Sequence, residues 1–416
     1  MKNRRNRVVW SPFRFAAVAC LVMGALLPGC ERHDGRGQAT VPGGDAVPGP
    51  EIINVKSGVT GFAPQSVNDP HVPTDPGPWF EGWYFRVSDI GGSRSMAVIV
   101  ASHLPRNETY TPGTYLPGYV NVLISEGDGA PTVSYTAFPE ETMARVNGEP
   151  VRSNPDLIAA SDFEWIAEGF GRVTEDSVDM RIPGLVEISI RTTNRKPWDA
   201  GNPHMGPEGL LVFLPFPLHW YIHSMGSDAE YTYTIIEEGF EEHVSGTGYA
   251  HLEKNWQREF PVGWVWSQGI AEDNKAQFVV STATIALDDT ATFVPWILGY
   301  RSERLSWDYR FSIPGSTLTT EMDACAGTLH MEARDLFRTL IVDAAAPPDS
   351  FGSVSIPTQE GFVAETGGES FSATVVVSAS WHLPIPGCPD IEYPIEQQVF
   401  YNAALEFGNG YGCQEE

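Results

Sequence analysis

Residues 246–268 read GTGYAHLEKNWQREFPVGWVWSQ. The stretch gathers Trp256, Trp264, Trp266, Tyr249 and Phe260 around His251, Glu253, Lys254 and Asn255. In an extended strand successive side chains alternate, so Glu253 and Asn255 face one way and Lys254 and Trp256 the other. Aromatic faces beside groups that exchange protons suit an enzyme that handles a greasy substrate. They equally suit a thick β-sheet core with a polar rim.

Working outward, the signal on both sides is strand. SMAVIVAS (95–102), YVNVLIS (119–125), TVSYTAF (132–138), VEISIRT (186–192) and YTYTII (231–236) are β-branched and aromatic runs of strand length. QFVVSTATIAL (277–287), ATVVVSASWHL (373–383) and VFYNAALEF (399–407) continue the series. Turn pairs such as Gly91-Gly92, Asp128-Gly129, Asn147-Gly148 and Asp288-Asp289 punctuate it. No long, capped 3.6-residue period occurs, and residues 330–344 alone read as helix or strand. With 33 prolines and 41 glycines, the expected class is all-β: short antiparallel strands closed into barrels or sandwiches. Parallel sheets would need crossover helices, which the pattern does not supply. A division near residue 258 gives β domains over 53–258 and 259–416, each of ordinary size.

The composition bounds the function. Hydrophobic residues make up 42% and charged residues 19%, as in a core-forming globular chain. The formal charge of −27 excludes a nucleic-acid partner, because phosphate contacts need a basic surface. The first 30 residues carry Lys2, Arg4, Arg5, Arg7 and Arg14, then an apolar run from Phe15 to Leu27, then Leu27-Pro28-Gly29-Cys30. That run is shorter than the roughly 20 residues a bilayer requires, so it reads as a signal segment (1–30). Its end is similar to a bacterial lipobox, which makes Cys30 the expected lipidation site of an exported, membrane-anchored lipoprotein. Ordinary signal cleavage nearby is the alternative. Residues 31–52 are rich in Gly and Pro and read as a flexible tether. Among Cys325, Cys388 and Cys413 three disulfides are possible. The turn-like Gly before each favours Cys388 with Cys413, and no C-x-x-C knuckle is present.

A second constellation is Pro78-Trp79-Phe80-Glu81-Gly82-Trp83-Tyr84-Phe85-Arg86-Val87. As a strand it puts Glu81, Trp83 and Phe85 on one face. A carboxyl beside two large aromatics is desolvated, which raises its pKa and suits an acid. The competing reading is an ion pair of Glu81 with an arginine such as Arg86.

The string FEGWYF resembles the opening motif of the tocopherol cyclase family. Met205-Gly206-Pro207, then Leu214-Pro215-Phe216, then Tyr221-Ile222-His223-Ser224-Met225-Gly226-Ser227 is similar to that family's next landmark. Tyr249-Ala250, Glu253-Lys254-Asn255-Trp256, Phe260-Pro261 and Trp264-Val265-Trp266-Ser267-Gln268 are similar to its most characteristic block. The three stand in family order across residues 78–270. His251 and Leu252 interrupt the block where the family runs on, and Gln257 stands where it has Gly. The resemblance implies two lipocalin-like antiparallel β-barrel domains, related to carotenoid 1,2-hydratases and AttH-type proteins. It implies closure of a chromanol ring on a prenylated quinol, with no metal or organic cofactor.

That chemistry assigns roles. An acid protonates a trisubstituted alkene, and the phenol oxygen adds to the tertiary cation and loses its proton to a base. Glu253 is the first candidate for donor and Glu81 the second. His223 is a candidate base or orienting group, and Lys254 and Asn255 complete the polar set. Trp83, Tyr84, Tyr249, Trp256, Trp264 and Trp266 are candidates for binding substrate and facing the cation. His219 and His223 are spaced for a metal, but a third ligand is missing. Admission of water would turn cyclisation into hydration of an isoprenoid. A lipocalin-like carrier of apolar ligands is the non-enzymatic alternative. A closed apolar cavity with an unpaired Glu81 or Glu253 speaks for catalysis, and ion-paired carboxylates outside it for a carrier.

Overall fold

The expected strands form where β-branched and aromatic residues alternate or run together. A computed structural model describes residues 69–413 apart from 93, 128, 152–161, 203–204, 287–290 and 384–390. Its elements are strands and short 3-10 turns, arranged as one 12-stranded and one 11-stranded sheet. Every strand pairing is antiparallel, as the all-β reading requires. The ambiguous 330–344 segment is a hairpin of Thr328–Arg334 and Arg338–Ala345. The signal segment, the tether, Cys30 and Cys388 lie outside the described residues.

The first sheet runs in the order Val133–Ala137, Gly118–Ser125, Ser95–Leu104, Trp79–Asp89, Phe240–Gln257, Leu218–Glu237, Val186–Thr193, Ser177–Ile182, Gly171–Thr174, Phe163–Ala167, Thr142–Val146 and Glu149–Pro150. Trp79–Asp89 therefore sits in mid-sheet between Ser95–Leu104 and Phe240–Gln257, and the latter pairs on with Leu218–Glu237. The sheet curls round a core that includes Trp83, Phe85, Val98, Val122, Trp165 and Leu252. Its outer regions meet at an isolated bridge, Leu116 to Thr142, so among the described residues no continuous ladder closes a barrel. In the second sheet Gly263–Ile270 lies between Gln277–Ala286 and Ile391–Asn409, and that order is open too.

The strands of the first sheet end at Gln257 and those of the second begin at Gly263. The facing sides share a core in which Tyr84, Trp220 and Ile222 meet Trp264, Trp266, Val279 and Phe371. Cys413 is bonded to Cys325, not Cys388. The turn-like flanks carried no information about which strand ends meet. Cys325 lies in the turn between Thr317–Asp323 and Thr328–Arg334, and the end of the last strand arrives there.

Candidate functional site

Register decides which candidate residues can meet. Glu81 pairs with Trp256 and Trp83 with Lys254, while Tyr84 pairs with Glu253 and Gly82 with Asn255. Residues directly opposite share a face, so the alternation read from sequence is real and splits the candidates into two groups.

The first group looks into the curl of the first sheet. Glu81 and Lys254 are fully buried and ion-paired at 2.8 Å. His71 Nδ1 lies 2.8 Å from Glu81 Oε1, and the His71 backbone N–H donates to Oε2 at 2.8 Å. Lys254 also donates to the Asp69 carbonyl at 2.6 Å. Glu81 thus pairs with Lys254, and Arg86 faces the other side, donating to Gln268 and Ser95. Burial pushes the Glu81 carboxyl up, but Lys254 and His71 outweigh it and hold it below its ordinary value. Burial and the Lys254 charge bring His71 down to about 4. Trp256 is stacked between His71, at 4.3 Å, and His219, at 5.1 Å, with the Lys254 ammonium 4.9 Å from its ring centre. His223 is buried at a bulge against Tyr221 and Phe163. Neither of its ring nitrogens has a hydrogen-bond partner among the described residues. Burial, with Lys254 nearby, holds it well below the ordinary histidine range.

The second group looks across to the other sheet, where a cleft of about 860 Å³, its open mouth included, lies between the two. Glu253, Asn255, Trp264 and Trp266 line it. Glu81, Trp83, Tyr84, Lys254, Trp256, His223 and the partly buried Tyr249 do not. Trp220, Trp296, Phe216, Phe260, Phe293 and Phe311 supply further aromatic walls. Among the described lining residues the ionisable ones are Glu208, His219, Glu253 and Glu406, with no Lys or Arg.

Three carboxyls converge between the sheets. Glu253 is buried and hydrogen-bonded to His251 Nε2 at 2.8 Å. Glu406 stands opposite both Trp266 and Glu369 in the second sheet and accepts from Trp264 Nε1 at 2.8 Å. Burial raises the Glu406 carboxyl, the Trp264 hydrogen bond pulls it partly back, and the Glu253 charge raises it again, to about 7. Glu369 is fully buried and accepts from the Tyr84 hydroxyl at 2.5 Å. Burial and the nearby Glu406 push it well above the carboxylate range, and burial beside Glu369 does the same to the Tyr84 phenol. Glu369 and Glu406, buried and opposite one another, cannot both ionise readily in a dry interior, so protons are retained there at neutral pH. The indole N–H groups of Trp220 and Trp266, both buried at the cleft, find no acceptor among the described residues.

Sequence reasoning missed Glu406, Glu369, Glu208 and His71. The two C-terminal acids sit in strands with no motif. The only local cue was an acid inside an otherwise apolar run, ALEF at 404–407.

No family model and no curated protein matches the chain. Similar solved structures include CghA with Sch210972, at 12% identity and a TM-score of 0.49 over 84% of this chain and 97% of that one. A proposed AttH from Nitrosomonas europaea is similar at 12% identity and a TM-score of 0.44, over 84% and 99% of the two chains. Kievitone hydratase from Nectria haematococca follows at 10% and 0.37, over 83% and 98%.

Proposed function

We propose that the chain is a cofactor-free acid catalyst that cyclises an apolar isoprenoid in the cleft between its two sheets, with Glu406 as proton donor. The observation that carries the reading is Glu406 itself: a carboxyl raised to about 7 on the wall of an aromatic cleft, beside the charge of Glu253. Alkenes are weak bases, so a donor must stay protonated near neutral pH and meet the alkene away from bulk water. Trp264 fixes one carboxyl oxygen and leaves the other to carry the proton. The tertiary cation that forms then lies among Trp264, Trp266 and Trp296, whose ring faces favour positive charge. Glu253 contributes negative charge on the same wall. An internal hydroxyl that attacks the cation closes a ring, and the product is an isomer of the substrate.

The motif resemblance supplies the finer reading, closure of a chromanol ring on a prenylated hydroquinone. The open mouth of the cleft favours a second outcome, capture of the same cation by water, which makes a hydratase. Glu81, ion-paired away from the cleft, is given a structural role. The proposal keeps Cys30 as a lipid anchor on an exported protein and the division near residue 258, both supported by the sequence pattern. Incubating the purified protein with a phytylated hydroquinone near pH 6 tests the function. A ring-closed product, absent with the Glu406→Gln variant, is expected. Unchanged substrate, or equal turnover by the variant, contradicts the proposal.

A further inference from the structure

One polar pair on the cleft has no part in the protonation step. His219 and Glu208 both line the cleft and both are buried. His219 Nδ1 lies 2.9 Å from Glu208 Oε2, and Glu208 Oε1 accepts the Trp220 backbone N–H at 2.6 Å. The carboxylate is thereby fixed at both oxygens. The imidazole is fixed a second time by its stack on Trp256, at 5.1 Å and 26° between planes. An imidazole whose Nδ1–H donates to a carboxylate carries its lone pair on Nε2. A base held by an orienting carboxylate at the edge of a cleft is the arrangement that proton abstraction requires. His223, by contrast, lies off the cleft with no orienting partner among the described residues.

We infer that His219 holds the substrate hydroxyl through Nε2 and takes its proton during ring closure, with Glu208 as the positioning residue. The inference rests on the proposed cyclisation and names its second half. Glu406 gives a proton to the alkene carbon, and the hydroxyl oxygen forms the new C–O bond. The O–H proton passes to His219 Nε2, and Glu208 offsets the imidazolium charge. The proton returns to Glu406 through solvent at the mouth, so atoms and charge balance over one turnover. The substrate class is therefore a neutral isoprenoid that carries a free hydroxyl or phenol as well as an alkene.

Binding tests this apart from turnover. Equilibrium dialysis compares a phytylated hydroquinone with its O-methyl ethers, using wild type, His219→Phe and Glu208→Gln. Phe retains a ring to stack on Trp256 and removes the acceptor. Wild type is expected to prefer the free phenol about tenfold, the worth of one good hydrogen bond. His219→Phe should bring that ratio close to one, and Glu208→Gln should reduce it while leaving affinity for the ethers in place. Equal affinity of wild type for phenol and ethers overturns the inference, as does a phenol preference that survives in His219→Phe. If the ratio behaves as expected but no ring-closed product forms, the hydroxyl site stands and the cyclisation reading falls.

Discussion

Glu253 and Lys254 are neighbours in sequence that serve opposite sides of one sheet. Lys254 is ion-paired with Glu81 at 2.8 Å inside the first sheet, and Glu253 is bonded to His251 at 2.8 Å on the wall of the cleft. Under the proposed function, one side of the strand serves stability and the other chemistry.

The buried pair should behave as structure. Removing one partner leaves an uncompensated charge, which costs about 3–5 kcal/mol. Glu81→Leu is expected to lower the unfolding midpoint strongly, and Glu81→Leu combined with Lys254→Met to recover much of the loss. Chemical denaturation of both variants checks this, and equal loss in the single and the double variant would contradict the pairing.

Acid should unfold the protein partly through the same cluster. His71 falls to about 4 in the folded chain from an ordinary value of 6.5, so between those values the unfolded chain binds more protons. The contribution of His71 to stability therefore drops as pH falls from about 6.5 to about 4. Glu81, also lowered, adds to the loss on further acidification. Because the raised Glu406 and Glu369 carboxyls take up protons on folding and oppose this loss, the His71 part is read by comparison: the denaturant midpoint of wild type relative to His71→Phe should shrink as pH falls from 7 to 4, and a constant difference would contradict it.

A third expectation concerns the end of the same strand. Gln257 has φ +141°, a region that glycine occupies without strain. Gln257→Gly should stabilise by about 1 kcal/mol, because relief of the backbone exceeds the entropy glycine loses. A lower thermal midpoint would contradict it.

How far the sequence could be read follows from these residues. Strand alternation in the 246–268 stretch correctly separated Glu253 and Asn255 from Lys254 and Trp256, because side-chain period is a local property. The strand runs were legible for the same reason. Ion pairing was not, since Glu81 meets Lys254 across 173 residues and His71 reaches it from a segment outside any strand. His251 and Glu253 are two residues apart on one strand, which is why they fall on the same face. Glu406 was invisible because its character comes from burial, from Trp264 on the strand paired with its own and from Glu253 on the other sheet, none of which is local in sequence.

The cleft should discriminate by charge. Its described lining offers carboxyls and neither Lys nor Arg, so an anionic ligand meets like charge in a poorly hydrated space. At pH 8 a C15 isoprenoid alcohol is expected to bind at least tenfold more tightly than the matching carboxylate, as read by tryptophan fluorescence. Equal binding would contradict it.

The most direct measurement is the pH–rate profile of ring closure for wild type, Glu253→Gln and Glu406→Gln. A donor works while protonated, so the wild-type rate should fall as pH rises through about 7, the value that burial and Glu253 give Glu406. Removing the Glu253 charge lowers the Glu406 pKa and should move that limb to lower pH. Glu406→Gln should lose the limb along with about 10²- to 10⁴-fold in rate. A Glu406→Gln enzyme that keeps the wild-type rate and the same limb would contradict the central claim.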